Sequence, residues 1–575
     1  MTTGWTRREL FRRSVGAGVG LAAGRFFVRD LHAQDRPSEP NKAFGPAFSA
    51  LDDFVHRYLR AMGAPGMTLV VADRGGILRV ATYGFSDTDR GTPVDANQLF
   101  EIGSISKSFV AIAVLQLMAE RKIDLHRPIA EFMPWLKVDS SFAPITIHHL
   151  LTHTSGLPAA LTCLPSDPNA AFRTRYAPGE HFVYCNLAYH ALGYLIWQVD
   201  GRPFADAIRE RILRPLGMSA TEPLIAGDTR RREPRSYNPW LDDRPFIVGA
   251  ALKPAPPLVM DNAAGCIAST PHDMGRYIQM FANHGKGERG TVLSDSSFEL
   301  MTTPYIKAEQ FGPTASYGYG LAVDTVASHK VVRHTGGMVS FASAMHVDID
   351  EGVGAFASIN AMQGYRPNPV AQYALGLIRA VNAGEGLPAP PDVNAPTTIP
   401  NAAEFAGTFT SPRGAKMQFV ADGSSLVLLR DGRKLDVATN GGQLVVLDTE
   451  LGLWPLNFQR AGGPGSPVTD LIHGSDWYIG ERYVGPREFT YPAAWDAYVG
   501  HFRNDSPWYG SIRIAKVKGR LWLDGMTPLE PAGDAVFWLN DPPYSPDRIE
   551  FLRRVGGTCM QVKLSGADFW RVMVP

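Results

Sequence analysis

Two kinds of apolar pattern alternate along the first two thirds of the chain. Residues 67–72 and 77–82 are strand-like runs on either side of the turn-forming residues 73–76, and together they predict a β-hairpin. Later segments repeat the two patterns, strand-like at 331–333, 342–349 and 354–359 and helical at 187–198 and 203–212. We therefore expect an α+β fold in which helices cover an antiparallel sheet.

Residues 109–118 are apolar on nearly every face, which predicts a buried helix. Ser104 and Lys107 stand at its opening, and residues at this spacing share one helix face. A serine nucleophile needs a nearby base, and burial lowers the pKa of a lysine toward the range in which it can act as one. The backbone N–H of Ser104, at a helix N-terminus, could form half of an oxyanion hole. Taken singly, a serine before a helix is most often an N-cap.

Two further motifs come later in the chain. Tyr184-Cys185-Asn186 offers a second group able to move the serine proton, and His334-Thr335-Gly336 ends a strand-like run. The paired glycines at 336 and 337 permit close approach of the backbone to a ligand. Each residue also has an ordinary interpretation, because most tyrosines pack with a satisfied hydroxyl, asparagine is common in turns and a histidine at a strand end is usually structural.

In their order and context these residues resemble the serine β-lactamase and penicillin-binding protein superfamily, in its class C-like (peptidase family S12) branch. The nucleophile block is 100–109, and further matching blocks are 145–158, 176–180, 265–270 and 317–321. The resemblance implies that Ser104 is acylated, that Lys107 and Tyr184 share the proton transfers, and that Asn186 orients the substrate amide. The order of those transfers is disputed across the superfamily. The resemblance implies the same α+β fold, and no cofactor is expected.

The residue at position 334 departs from the penicillin-recognising pattern. Those members usually carry lysine there, in a Lys-Thr-Gly motif that helps bind the terminal carboxylate of the substrate. His334 is similar to the histidine of D-aminopeptidase-like and esterase-like branches, and histidine is largely neutral near pH 7. This argues against an efficient β-lactamase or D,D-carboxypeptidase. Cys185 replaces the small Ser or Ala often found between the tyrosine and the asparagine, and we expect it only to pack.

The N-terminus predicts export. Thr6–Phe11, with Arg7-Arg8, resembles a twin-arginine motif, and the Gly-rich apolar stretch Val15–Gly24 and a small-residue site at Ala33 come after it. We expect residues 1–34 to be an export signal and the protein to be periplasmic. The stretch is too short and too rich in glycine to span a membrane, although uncleaved anchoring stays open.

The C-terminal part repeats itself after a spacer. Residues 386–400 are rich in Pro and Ala, which favours an extended linker between the catalytic domain, 35–385, and the repeated region. Beyond the linker, residues 405–409 match 498–502, ninety-three positions on, and Phe458 matches Phe551 at the same spacing. Between these anchors lie short strand-like runs and turns. We expect two all-β units, 401–490 and 491–575, each a small antiparallel barrel.

This three-part plan is similar to the bacterial D-aminopeptidases and to the linear microcystinase peptidases. The barrels could serve packing or assembly into an oligomer. Alternatively, a barrel loop could roof the active site and select substrates, and the segments 525–534 and 540–548 are candidates because they are rich in Pro and Gly.

Composition excludes several other classes of function. Lys and Arg total 56 and so do Asp and Glu, so neither a nucleic-acid nor an anionic-membrane surface is indicated. The four cysteines show no metal-ligand spacing and need not form a disulfide. We therefore predict an exported serine hydrolase, and specifically a peptidase or amidase on short peptides containing D-residues. The alternatives are an esterase or weak β-lactamase, and a non-catalytic penicillin-recognising binder or sensor.

Overall fold

In the computed structural model, which describes residues 42–160, 162–165, 170–463 and 465–573, the first part of the chain forms a nine-stranded sheet. Its strands are β1 (Gly66–Asp73), β2 (Gly76–Asp87), β3 (Thr92–Pro93), β4 (Ile306–Lys307), β5 (Ser316–Tyr317), β6 (Ala322–Val326), β7 (His329–Gly337), β8 (Ala342–Asp348) and β9 (Val353–Ile359). They lie in the order β4–β5–β6–β7–β8–β9–β1–β2–β3, and every neighbouring pair is antiparallel. The predicted export signal lies outside the described residues.

Helices cover both faces of this sheet. They are α1 (Gly45–Met62), α2 (Ser106–Ala119), α3 (Ile129–Phe132), α4 (Ile147–Leu151), α5 (Asn186–Asp200), α6 (Phe204–Ile208), α7 (Arg214–Leu216), α8 (Pro271–Ala282), α9 (Asp295–Thr302) and α10 (Asn368–Ala383). The predicted α+β class is therefore confirmed, as are the hairpin of β1 and β2 and the two helical segments that begin near residues 187 and 203. Within the described part of the chain, no helix has both the length and the apolar character needed to cross a membrane.

The alternation of side chains along β1 divides the core in two. Val70 and Ala72 face a cluster that includes α2, α5 and α8, whereas Met67 and Leu69 face a second cluster with α1 and α10. A strand that is buried on both faces has a continuous run of apolar residues in its sequence, which explains the pattern at residues 67–72. Enclosed in the first cluster, α2 is buried around its whole circumference, as the sequence predicts.

The C-terminal part forms two all-β units. In the first, the strands Gly407–Thr410, Lys416–Asp422, Ser425–Arg430, Arg433–Asn440, Gln443–Val446, Asn457–Arg460, Val468–His473 and Asp476–Ile479 form an eight-stranded sheet. A bridge between Leu444 and Leu456 brings its two edge strands together, so that the barrel is nearly closed. In the second, the strands Gly500–Arg503, Ser511–Val517, Arg520–Leu523, Thr527–Gly533, Val536–Leu539, Arg548–Val555, Thr558–Leu564 and Ala567–Arg571 form a closed barrel.

The repeated aromatic residues pack against each other in both barrels, tilted in the first and stacked in the second. The ring centroid of Phe405 lies 4.9 Å from that of Phe458, and the corresponding pair, Tyr498 and Phe551, stacks at 4.2 Å. Each pair joins the residues before the first strand to a strand far along the same unit, so the repeat in the sequence reflects a shared core contact.

One of the two candidate barrel loops was wrongly predicted. Within 525–534, Thr527–Gly533 is a strand paired with both Arg520–Leu523 and Val536–Leu539. Its prolines suggested a loop because proline cannot donate to a sheet, but the register shifts between Pro531 and Gly533, which accommodates the missing donor of Pro531. Residues 540–547 do form a loop before the strand that begins at Arg548.

Candidate active site

The nucleophile candidate Ser104 lies in a 3-10 turn, Gly103–Ile105, that leads into α2. Gly103 has a φ of 52°, and a Cβ at this position would lie 2.9 Å from the backbone nitrogen of Gly337. A Cβ on Gly336 would lie 1.9 Å from the carbonyl oxygen of Ile102. Both glycines are needed for this close approach, which brings the turn carrying Ser104 against the end of β7.

The end of β7 offers a backbone edge beside that turn. From Val331 to Gly337 the strand pairs with β8, but its pairing with β6 ends at Arg333. Among the described residues, the stretch from His334 through Thr335 and Gly336 to Gly337 therefore has a neighbouring strand on one side only. An extended substrate can add to such an edge through main-chain hydrogen bonds.

Lys107 connects the first two motifs through its ammonium nitrogen. The Nζ atom lies 3.0 Å from Oγ of Ser104, 2.8 Å from Oδ1 of Asn186 and 2.8 Å from the carbonyl oxygen of Ala264. The structure thus brings together Ser104, Lys107 and Asn186, which are separated by up to 82 positions in the sequence.

The surroundings of Lys107 favour its neutral form. The side chain is fully buried, and none of the ion pairs in the described ranges includes it. Burial lowers the pKa of Lys107 to about 7. A neutral amine fits the three contacts, because two N–H groups donate to Asn186 and Ala264 while the lone pair accepts the hydroxyl proton of Ser104.

Tyr184 lies over the lysine, one residue before the cap of α5. Nζ of Lys107 is 4.8 Å from the centroid of the Tyr184 ring. Burial raises the pKa of Tyr184, and the adjacent Ser104 side chain offsets part of that shift. The phenol is therefore protonated at neutral pH, and its buried hydroxyl has no hydrogen-bond partner of good geometry within the described segments. Cys185, the next residue, caps α5 by accepting from the N–H of Ala188 and is buried as a free thiol.

His334 is buried rather than presented to solvent, with 1% of its surface exposed. Its Nδ1 lies 2.6 Å from the carbonyl oxygen of Thr335 and its Nε2 lies 3.1 Å from the hydroxyl of Tyr317. A carbonyl only accepts, so Nδ1 carries the hydrogen and Nε2 accepts from the tyrosine. Burial, aided by the charge of Lys107, lowers the pKa of His334 to about 3. The imidazole is neutral, and it supplies no cation at the position of the usual lysine.

Two residues beside these motifs were not singled out from the sequence. Ala264 contributes only a carbonyl oxygen to Lys107, so its side chain carries no signal, although it adjoins the matching block 265–270. His153 lies within the block 145–158, and its ring centroid is 4.3 Å from that of Tyr184. The one signal that could have found His153 is a histidine just after a short helix, where glycine or asparagine is usual.

The loop 540–547 of the second barrel docks on the segment that leads to Tyr184. A carboxylate oxygen of Asp547 accepts from the N–H of Ala159 at 2.9 Å, and Tyr544 stacks on His181 at 4.0 Å. Arg175 donates to the carbonyl oxygen of Ser545 and pairs with Glu530 at 2.7 Å. The second barrel is thus fixed beside the candidate site through at least three separate contacts.

Comparison with known proteins identifies the family of the catalytic part. A family model described as beta-lactamase matches residues 51–380, which is more than half of the chain. Protein Rv1367c of Mycobacterium tuberculosis (strain ATCC 25618 / H37Rv) is 30% identical over 279 residues, covering 43% of this chain and 69% of that protein. Esterase EstB of Burkholderia gladioli is 28% identical over 333 residues, covering 50% of this chain and 82% of that protein.

A solved structure agrees with the fold. The octameric penicillin-binding protein homologue from Pyrococcus abyssi superimposes with a TM-score of 0.53 at 22% identity, covering 75% of this chain and 99% of that one. At this identity the match concerns the fold alone. The family match over residues 51–380, together with this fold, shows that the chain belongs to the beta-lactamase family, the serine hydrolase superfamily that includes the penicillin-binding proteins.

Proposed function

We propose that the protein is an exported hydrolase that cleaves short peptides or peptide amides containing D-residues through an acyl-enzyme on Ser104. The observation that carries the proposal is the buried Lys107, whose pKa of about 7 and 3.0 Å distance to Ser104 suit a general base. Export rests on the Arg7-Arg8 motif of the N-terminal segment. We expect no cofactor to take part.

In the acylation step, Lys107 accepts the hydroxyl proton of Ser104 while Oγ attacks the substrate carbonyl carbon. Asn186 and the carbonyl oxygen of Ala264 keep the amine oriented, because each accepts one of its N–H groups. The backbone N–H of Ser104 is a donor for the oxyanion, and the open edge of β7 holds the substrate main chain.

Tyr184 acts in the collapse of the tetrahedral intermediate. Because its pKa is raised by burial, the phenol is protonated and can give a proton to the departing amine as the C–N bond breaks. The phenol regains a proton from Lys107, which restores the neutral amine. Water then hydrolyses the ester on Ser104 by the reverse sequence, which releases the acid and regenerates the hydroxyl.

The choice of substrate depends on the surroundings of His334. The imidazole is neutral, and the nearby rings are aromatic: the centroid of Phe311 lies 5.2 Å from His334 and 6.1 Å from Tyr184. Arg333 is engaged by Asp324 and by the carbonyl oxygen of Phe311. These contacts favour substrates that lack a free terminal carboxylate, such as peptide amides. The resemblance of the three-part plan to D-aminopeptidases supports D-residues, and the docked barrel loop favours short chains.

A second candidate is an esterase, and the similarity to Esterase EstB over half of the chain favours it. Ester and amide hydrolysis share the acylation step, so the same residues would serve both. The two candidates differ in the leaving group, since an amine needs a proton from Tyr184 more than an alcohol does.

A turnover screen separates the candidates. D-alanine p-nitroanilide, its L-isomer, p-nitrophenyl butyrate and nitrocefin are each measured for kcat/KM with the same enzyme preparation. The highest value for the D-anilide supports the proposal, and turnover of the ester alone supports the esterase. Labelling of Ser104 by a fluorescent penicillin, without turnover of any of the four compounds, would instead indicate a binder or sensor.

Replacing His334 with lysine is expected to shift substrate preference toward free-acid peptides. A charge-assisted hydrogen bond to the terminal carboxylate is worth roughly 1.5–3 kcal/mol, so the ratio of kcat/KM for acid over amide should rise about ten- to a hundred-fold. The measurement compares paired peptide acids and amides in both enzymes. His334→Gln, which stays neutral, is the matched control and should keep the original ratio. An unchanged ratio in the lysine variant, with Ser104 still acylated, would show that residue 334 does not recognise the terminal carboxylate of the substrate.

A further inference from the structure

Both backbone amides that flank Tyr184 donate to a single residue, His153. The N–H of Val183 donates to the carbonyl oxygen of His153 at 3.0 Å. The N–H of Cys185 donates to Nδ1 of the same residue, also at 3.0 Å. Since Nδ1 accepts, the hydrogen of the neutral ring is on Nε2. The chain on either side of Tyr184 is therefore held by one main-chain and one side-chain acceptor of His153.

His153 occupies this position despite two unfavourable features. It comes shortly after α4 with a φ of 58°, in the left-handed region that glycine and asparagine adopt most readily. Its Nε2 is buried without a hydrogen-bond partner in the described residues. Glycine would suit the backbone better, and an apolar side chain would avoid the unpaired donor. Either substitution would remove the hydrogen bond from Cys185, and glycine would also remove the contacts of the ring with Tyr184.

The ring of His153 also limits the space available to Tyr184. The two centroids are 4.3 Å apart, and the ring centroids of Tyr189 and Tyr317 each lie 4.9 Å from that of His153. Burial holds the pKa of His153 well below its usual range, aided by the charge of Lys107. The ring is therefore a fixed neutral contact surface and does not compete with Lys107 for the serine proton.

We propose that His153 is a positioning residue for Tyr184, which sets the phenol beside Ser104 by holding the amides of Val183 and Cys185. This inference rests on the proposed role of Tyr184 in proton transfer. His153 touches neither the substrate nor the reacting atoms, so its removal should lower kcat while leaving KM little changed.

Substitutions at position 153 test the hydrogen bond separately from the backbone conformation. Asparagine keeps an acceptor near the position of Nδ1 and tolerates a positive φ, glycine tolerates the φ without an acceptor, and leucine lacks both. With p-nitrophenyl butyrate and D-alanine p-nitroanilide, His153→Leu and His153→Gly are expected to lose about a hundred-fold in kcat, the cost of misplacing a catalytic group by about 1 Å. His153→Asn should stay within about five-fold of wild type.

A matched control comes from His284, which also has a positive φ, 52°, at the end of a helix but is exposed, and its ring packs against Phe298 rather than Tyr184. His284→Leu measures the cost of leucine in that conformation and should leave kcat unchanged. Thermal unfolding of each variant shows whether it is folded. If His153→Gly is folded and retains its kcat, or if His153→Asn loses as much as glycine does, the inference is overturned.

A double-variant cycle separates this inference from the proposed function. Tyr184→Phe should itself lower kcat severely, and adding His153→Gly should then cost less than about three-fold, because the histidine acts through the tyrosine. Multiplicative losses would overturn the positioning role while leaving the role of Tyr184 intact. Near-normal turnover in Tyr184→Phe alone would overturn both.

Discussion

Replacing Ser104 with alanine is expected to lower turnover by about 10⁴-fold or more and to leave the fold intact. The hydroxyl is the acyl acceptor in the proposed reaction, and nothing in the contacts of Lys107 replaces it: Asn186 and Ala264 offer oxygen atoms that cannot be acylated there. The loss of one hydroxyl leaves those two hydrogen bonds in place, so circular dichroism and thermal unfolding should match the wild type. Labelling with a fluorescent acylating probe should disappear together with turnover.

Ser106→Ala provides the matched control for this experiment. Ser106 lies two residues further on and is buried, but its Oγ accepts from the N–H of Ile267 at 3.2 Å rather than facing Lys107. Its removal should cost some stability and less than about ten-fold in turnover. Natively folded Ser104→Ala with near-normal activity would reject the acyl-enzyme on Ser104. Equal losses in the two variants would mean that the turn, not its nucleophile, had been damaged.

Much of the catalytic fold was predictable because its signals are local. The hairpin of β1 and β2 is encoded by two apolar runs and the turn between them, and the burial of α2 by its lack of a polar face. The spacing of Ser104 and Lys107 lies within one helical turn, so the sequence alone predicts their contact. The two barrels were predictable for a different reason: their aromatic anchors repeat at a fixed interval, and the equivalent residues contact each other in both units.

The rest depends on contacts that no local pattern specifies. The third partner of Lys107 is a main-chain carbonyl at residue 264, and any amino acid could provide it. His153 accepts hydrogen bonds from the backbone amides of Val183 and Cys185, which lie 30 and 32 positions further along the chain. Backbone amides donate whatever side chain the residue carries, so the sequence gives no sign of these contacts. The strand Thr527–Gly533 contains two prolines, and only its pairing on both sides identifies it as a strand. Likewise, docking of loop 540–547 is fixed by complementary surfaces far apart in sequence.

Replacing Lys107 with methionine is expected to lower activity and to remove a pH dependence from the free energy of unfolding. Turnover should fall by about 10³-fold or more, because the general base is lost while the side-chain volume is kept. In the wild type, kcat/KM should rise with pH through an apparent pKa near 7 as the amine becomes neutral, and no acidic limb of this origin should remain in the variant. A wild-type profile that is flat from pH 6 to 8, measured with p-nitrophenyl butyrate, would contradict the assignment of Lys107 as the base.

The effect on stability depends on the sign of the same pKa shift. In the folded state the pKa of Lys107 is about 7, lowered by burial from 10.5, so between these values the unfolded chain binds one more proton than the folded protein. The free energy of unfolding of the wild type therefore rises with pH across this window, and methionine removes that dependence. We subtract the free energy of unfolding of the wild type from that of Lys107→Met at each pH. This difference should be more favourable to the variant at pH 7 than at pH 9.5, by about 3 kcal/mol.

Comparing two pH values makes this test independent of the hydrogen bonds that methionine cannot make. The loss of contacts to Asn186 and Ala264 destabilises the variant at every pH, so it cancels in the difference. Urea unfolding of both proteins at each pH provides the measurement, with Lys122→Met as the control, because that lysine is exposed and pairs with Glu120 at the surface. A Lys107→Met variant whose stability relative to wild type is the same at both pH values would mean that the lysine is charged in the folded protein. A charged lysine could not take the proton of Ser104, and Tyr184 would then have to act as the base.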